Sequence, residues 1–276
     1  MCGSHAPTCG IVKYVAEKLT LPWTMMILDI PTDLIEKDEK RYKMWEKHFE
    51  ILKDANSVIF NTWIARQQYY KWAGRETPAE NVIPYAFNVV EEYDKSGIDM
   101  KGDYVLSICR LTPLKNCNAI PRALALLDTK LTYISIGRDG GDLKNIRQLC
   151  NENLIPFVHY EKVTDKEKFN LIKGCSMLIY PQNTKYIGGL SPLEAMYCGK
   201  PVIAKYYPVL TQLYDKHASY FNTNYELASQ ISTLHNFKRE LLKPGLIEAN
   251  EHAKKTATFP VMAKRLLEVF EKVRNK

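Results

Sequence analysis

An arginine and a lysine, Arg110 and Lys115, lie five positions apart in Ser107-Ile108-Cys109-Arg110-Leu111-Thr112-Pro113-Leu114-Lys115-Asn116, where an apolar run gives way to a loop. A guanidinium grips an anion bidentately and an ammonium adds a mobile point charge, so the pair suits a diphosphate. A solvated surface ion-pair cluster has the same composition. A second segment, Gly137-Arg138-Asp139-Gly140-Gly141, follows another apolar run. Its glycines permit positive φ and close approach of backbone to a ligand, which makes Gly137 a donor-binding candidate; a tight strand-to-helix turn needs glycine equally. The segment does not spell G-x-G-x-x-G. The third segment is Gly188-Gly189-Leu190-Ser191-Pro192-Leu193-Glu194. Ser191 reads as an N-cap, Pro192 as the first helical residue and Glu194 as the acid of a capping box, so a helix begins there. Its free N–H groups, preceded by two glycines, make an anion site without a charged side chain. Glu194 is either the capping acid or a carboxylate that accepts hydrogen bonds from ligand hydroxyls. The run Asn81-Val82-Ile83-Pro84-Tyr85-Ala86-Phe87-Asn88 reads as a strand closed by a proline turn.

The elements that must position these residues are visible as apolar runs alternating with helical patterns, the mark of βαβ units and a mostly parallel sheet. In 1–97, helices are expected over 11–19, 38–53 and 65–72, and strands over 23–30, 57–61 and 81–85. After the turn-rich 91–102, strands are expected over 104–108, 131–136, 155–159, 177–180 and 201–204. Helices are expected between them over 118–127, 143–151 and 165–172 and from 191, with a closing helix over 259–273. The expectation is an α/β protein of three parts. Residues 1–97 form an incomplete first domain, 98–257 a doubly wound second domain, and 258–276 a helix returning to the first. In an open parallel sheet ligands bind beyond the carboxyl ends of the strands, where the three segments stand.

Of the 276 residues, 46% are hydrophobic and 25% charged, the balance of a soluble globular chain rather than a disordered or fibrous one. No window approaches the ~18 uninterrupted apolar residues of a membrane span. The first ten residues lack the basic and apolar regions of a secretory signal. A cytoplasmic location is expected, with peripheral contact at the inner membrane face left open. The net charge of +7 is uneven: 1–97 holds 12 basic and 14 acidic residues, 98–276 holds 26 and 17. The second half is therefore the one that attracts an anion, and the first is not expected to dock electrostatically on an anionic membrane. Seven scattered cysteines suit reduced thiols. Cys2 and Cys9 flank His5 without the paired spacing of a zinc site, and no metal is expected. Nucleic-acid binding finds no recognised motif. Trp63, Tyr69, Tyr70 and Trp72 recur at near-helical spacing and read as core or interface rather than as a sugar platform.

Arg110-Leu111 with Lys115-Asn116, then Leu190-Ser191-Pro192-Leu193-Glu194-Ala195-Met196 and Gly199-Lys200-Pro201-Val202-Ile203, resemble the nucleotide-sugar half of the GT-B glycosyltransferases of family 4 (group 1). Val82-Ile83-Pro84 stands at the place of the family's I-P-N-G-V turn, and the closing helix has its counterpart. The resemblance implies a GT-B-like fold of two Rossmann-like domains. It implies transfer of a sugar from a nucleoside-diphosphate-sugar to a carbohydrate, lipid-linked or protein acceptor, by a retaining, metal-independent route without a cofactor. Carried over residue by residue, Arg110 and Lys115 contact the donor diphosphate, and the amides from Gly188 through Gly189 and Leu190 to Ser191 hold sugar or phosphate. Glu194, as the second Glu of an E-x7-E motif, binds the nucleotide ribose. Arg110, Lys115 and Glu194 are thus the expected catalytic set. The first Glu of that motif falls at Tyr186, a donor-side candidate that removes a carboxylate from the reacting centre; Cys109 replaces a glycine. The family's opening strands and acceptor loop have no counterpart, so the acceptor-side domain is short. His5 and Asp29 are the acceptor-side candidates, each with an equally plain reading as a cap or turn residue. The alternative function is a nucleotide-sugar-binding subunit whose missing half comes from a partner chain, and association of identical chains is a further expectation.

Overall fold

A computed structural model describes residues 6–27, 38–74, 81–89, 103–183, 188–237 and 239–275. Its elements begin with α1 (Ala6–Leu19), β1 (Thr24–Ile27), α2 (Glu39–Leu52), β2 (Ser57–Phe60) and α3 (Trp63–Ala73). They continue with β3 (Tyr104–Ile108), α4 (Ala119–Leu124), β4 (Thr132–Ile136), α5 (Leu143–Glu152), β5 (Phe157–Tyr160), α6 (Asp165–Gly174) and β6 (Met177–Tyr180). The remainder are α7 (Ser191–Tyr197), β7 (Val202–Lys205), α8 (Pro208–Tyr214), β8 (Ser219–Phe221), α9 (Asn224–Asn236), α10 (Arg239–Thr256) and α11 (Phe259–Arg274). Two compact units emerge: Met1–Ala86, Tyr186–Gly188 and Phe259–Lys276 make one, Phe87–Lys185 and Gly189–Thr258 the other. The boundary expected near residue 97 lies outside the described residues.

In the first unit β1 and β2 pair in parallel, Thr24 with Ser57 through Ile27 with Phe60. Their side chains alternate between two faces, as the pleat requires. Met25, Ile27, Val58 and Phe60 join Phe49 of α2 and Tyr69 of α3 in one cluster. Met26 and Ile59 point the other way, onto Ile83 and onto Met262, Leu266, Val269 and Phe270 of α11. A two-strand parallel sheet is thus covered on both faces, and the closing helix belongs to this unit. The strand expected over 81–85 does not form. Val82 makes a single bridge to Phe60, and Ile83 N–H donates to Phe60 O at 2.7 Å. Pro84 then has no N–H with which to extend a ladder. Of the four aromatics near α3, Tyr69 is fully buried, whereas Trp63 and Tyr70 are exposed.

The second unit is built on a six-stranded, wholly parallel sheet in the order β5-β4-β3-β6-β7-β8. Continuous apolar strands such as Tyr104-Val105-Leu106 and Met177-Leu178-Ile179 are buried on both faces, as a sheet flanked by helices demands. Val105, Tyr133, Met177, Ile179, Ile203 and Ile231 contribute to the main core. β8 has no forerunner among the expected strands; its three residues are too short for a period to show. The chain enters at β3, winds outward through β4 and β5, then returns to the other side of β3 for β6, β7 and β8. The strand order therefore reverses between β3 and β6, which opens a crevice at their carboxyl ends. Among the described residues, no helix is long and apolar enough to cross a membrane.

Candidate active site

The loop after β3 carries Arg110 and Lys115 and is fastened on both sides. Toward β4, Cys109 N–H donates to Ile136 O (3.0 Å), Leu111 N–H to Arg138 O (2.9 Å) and Gly140 N–H to Leu111 O (2.8 Å). Toward β6, Asn183 N–H donates to Leu114 O at 2.8 Å and Asn116 Nδ2 to Pro181 O at 3.3 Å. Gly137 has φ +140, and a Cβ there would stand 2.1 Å from Cys109 O. At Gly140 a Cβ would meet Thr112 Cγ2 at 2.3 Å. These two glycines let two loop backbones touch. The turn is also not an open anion site. Asp139 Oδ1 accepts from Gly141, Asp142 and Leu143 N–H at 2.8, 3.2 and 3.2 Å, so its own carboxylate fills the N-terminus of α5. Those amides, Gly141 and Leu143 foremost, hold the Asp139 carboxyl below its ordinary pKa.

Arg110 is exposed at the mouth of this loop, while Lys115 is half-buried and donates to Gln182 Oε1. Tyr180 Oη also donates to Gln182 Oε1, at 2.5 Å. Burial pushes the Lys115 ammonium below its ordinary pKa, and Arg110 beside it pushes the same way.

The segment opening α7 departs from the expected capping box. The helix begins at Ser191, so Ser191 and Pro192 occupy its first two positions and Leu190 is the N-cap, with no side-chain cap bond. Ser191 Oγ instead donates to Ile108 O at 3.2 Å, tying α7 to the end of β3. Glu194, 5% exposed, does not reach back to an amide at the helix start; its Oε1 accepts from Lys168 Nζ of α6 at 2.9 Å. Lys168 Nζ also donates to Asp165 Oδ1 at 3.0 Å. Burial opposes the Lys168 charge, yet Glu194 and Asp165 together outweigh it and hold the ammonium above its ordinary pKa. The acid is therefore held in place by a lysine rather than spent on the helix. Gly189 lies between two tyrosines: its N–H donates to Tyr214 Oη (2.9 Å), which in turn donates to Gly189 O (2.8 Å). A Cβ at Gly189 would fall 2.5 Å from Tyr180 Oη.

Arg110, Lys115, Gly137, Gly189, Leu190, Ser191 and Glu194 thus stand on loops or a helix start beyond strand ends of one sheet. The β3 and β6 loops, with the start of α7, flank the crevice where strand order reverses. Gly188 is buried and groups with the first unit. His5, Asp29 and Tyr186 lie outside the described residues. Gln182, Lys168, Tyr180 and Tyr214 were not anticipated. Lys168 meets Glu194 across 26 positions and Gln182 meets Lys115 across 67, so no local spacing announces either pair. Among the described residues no three His, Cys, Asp or Glu side chains group as metal ligands.

The wholly parallel sheet, with its strand order reversing between β3 and β6, makes the second unit a doubly wound α/β domain. The family model for glycosyl transferases group 1 matches residues 89–229, just over half of the chain. The chain belongs to that family. Among solved structures it is similar to Anabaena Alr3699/HepE in complex with UDP and glucose, at 16% identity and a TM-score of 0.76, covering 97% of this chain and 76% of that one. It is also similar to the sucrose-phosphate synthase of Thermosynechococcus elongatus, at 17% identity and a TM-score of 0.73, covering 95% and 71%. A glycosyltransferase of Rickettsia africae matches at 14% identity and a TM-score of 0.72, covering 97% and 81%. These likenesses establish the GT-B fold. Comparison with curated sequences finds no match.

Proposed function

We propose that the chain transfers a sugar from a nucleoside-diphosphate-sugar with retention of configuration, and that the crevice between β3 and β6 is the donor site. One observation carries this reading: Arg110 and Lys115 share the loop after β3, and Ser191 Oγ ties to the end of that strand the helix whose Glu194 is buried and ion-paired. A diphosphate between the two cations gains negative charge as the bond from its oxygen to the sugar C1 breaks. Arg110 and Lys115, already positioned, take up that charge, so the chain's own cations do the work that a divalent metal does elsewhere. Glu194, oriented by Lys168, accepts hydrogen bonds from two adjacent ribose hydroxyls. Alr3699/HepE holds UDP and glucose, which makes UDP the first nucleotide to test.

Isothermal titration with UDP, GDP, ADP and their glucose or mannose conjugates, with and without EDTA, tests the assignment. One nucleotide binds with EDTA present, and Arg110→Ala and Lys115→Ala each weaken it roughly 10–100-fold, the weight of a charged hydrogen bond of ~1.5–3 kcal/mol. Unchanged affinity in both variants sinks the loop assignment. A second reading is favoured by the first unit, whose sheet has two strands among the described residues. Here the chain holds the donor and a partner polypeptide supplies the acceptor side. Nucleotide binding without turnover, followed by turnover on addition of a second protein, distinguishes it.

A further inference from the structure

Two cysteines bracket the loop that carries Arg110 and Lys115. Cys109 closes the end of β3 and Cys117 stands just before α4, and their sulfurs are 3.3 Å apart. The two thiols differ in surroundings. Cys109 is part-exposed, whereas Cys117 is fully buried, its Sγ 3.9 Å from Lys115 O at the base of the loop. Cys150 and Cys175 are buried as well, and burial raises both thiols to about 12. Cys109 is the exception. A hydrogen bond from Cys117 lowers its pKa despite burial, and the charge on Lys115 adds to the effect. Cys117, as the donor, is held well above the ordinary thiol value. One sulfur is therefore fitted to be the nucleophile and its neighbour to wait as a thiol.

The geometry points to Cys109 and Cys117 as a dithiol that a peroxide oxidises to a disulfide across the base of the 110–116 loop. In the first step the Cys109 thiolate attacks one oxygen of hydrogen peroxide. An S–O bond forms, the O–O bond breaks, and the departing hydroxide takes a proton to become water. In the second step Cys117 sulfur attacks Cys109 sulfur. The S–S bond forms, the S–O bond breaks, and the hydroxide leaves as water with the Cys117 thiol proton. Two thiols lose two electrons and one peroxide becomes two waters. The sulfurs close from 3.3 Å to roughly 2.05 Å, a short travel for residues at the two feet of one loop. The bond fastens those feet together and reduces the freedom of the segment that holds both cations.

Trypsin cuts after Lys101, Arg110, Lys115 and Arg122, so the two sulfurs leave the protein on separate peptides, Gly102–Arg110 and Asn116–Arg122. The whole chain is treated with a few equivalents of hydrogen peroxide, alkylated, digested and mapped by mass spectrometry. The expected product is those two peptides joined, and amide exchange over 111–117 slows several-fold until dithiothreitol restores it. Cys117→Ser is expected to stop the reaction at a Cys109 sulfenic acid that dimedone traps. Should that variant not fold, Cys109→Ser serves instead, with Cys117 left unoxidised. Cys109 recovered as a sulfinic acid, joined to any other cysteine, or alkylated after peroxide overturns the dithiol, as does unchanged exchange in the oxidised chain. The bond is read by mass alone, so its failure leaves the nucleotide reading of the same loop untouched.

Discussion

Replacing Lys168 with methionine keeps most of the side chain's length and apolar stem while removing the cation that faces Glu194. Glu194 is 5% exposed, and the Lys168 side chain keeps 19% of its surface. Stripping one partner from a fully buried pair costs ~3–5 kcal/mol. Water reaches the rim of Lys168, and Asp165 is the more exposed of its two partners, so the cost here is reduced to about 2 kcal/mol. For a cooperative unit of this size that is a fall of roughly 4–8 °C in Tm, measured by scanning calorimetry. The double variant Lys168→Met/Glu194→Gln removes both charges and recovers at least about 1 kcal/mol against the sum of the single effects. UDP affinity of Lys168→Met falls roughly tenfold, because the carboxylate loses the group that orients it. The pH dependence has a fixed sign. Lys168 is raised in the fold, so its contribution is complete below the ordinary lysine value and fades as pH rises through the folded one. The Tm gap between wild type and Lys168→Met therefore holds across neutral pH and closes in strong alkali. A shift under about 1 °C, or strict additivity in the double variant, refutes the view that Lys168 secures Glu194.

Gly137→Ala destabilises by at least about 3 kcal/mol in urea titration, because the new Cβ meets the Cys109 carbonyl at 2.1 Å in a backbone with φ +140. Tyr214→Phe leaves both the N–H and the C=O of Gly189 without their hydroxyl partner, costing about 1–3 kcal/mol by chemical denaturation. Because burial lowers Lys115, nucleotide affinity measured against pH begins to fall below the pH at which an ordinary lysine loses its proton. In Lys115→Met that descent disappears.

The central strands of the second unit were legible to the residue at Tyr104–Ile108 and Met177–Tyr180, because uninterrupted apolar runs between turns leave few alternatives. The closing helix and its return to the first part of the chain were expected, although no local signal says which residues it covers. Val82-Ile83-Pro84 looked like a strand because β-branched residues favour one, yet a ladder needs donors that proline lacks. The cations of the β3 loop were visible from type and spacing. What held Lys115 was not, because Gln182 meets it across 67 positions of sequence. Glu194 shows the limit most clearly. A capping box was the favoured local reading of Ser191-Pro192-Leu193-Glu194, and the tertiary ion pair with Lys168 takes its place. The glycines of the β4 turn suggested close approach to a ligand, whereas Gly137 and Gly140 serve the contact with the β3 loop and Asp139 takes up the Gly141 and Leu143 amides.

The packing of α11 on Met26, Ile59 and Ile83 makes the first unit discontinuous along the chain. As the polypeptide leaves the ribosome, the segment up to Ala86 emerges with one face of its sheet bare. The whole of Phe87–Thr258 must then be made before the covering helix arrives. At ~5–20 residues per second that interval is roughly 10–30 s. During this wait the first unit is held unfinished, its apolar strands open to chaperones or to wrong neighbours. Newly made chain is for that reason more vulnerable to aggregation in its first third than the order of synthesis alone implies.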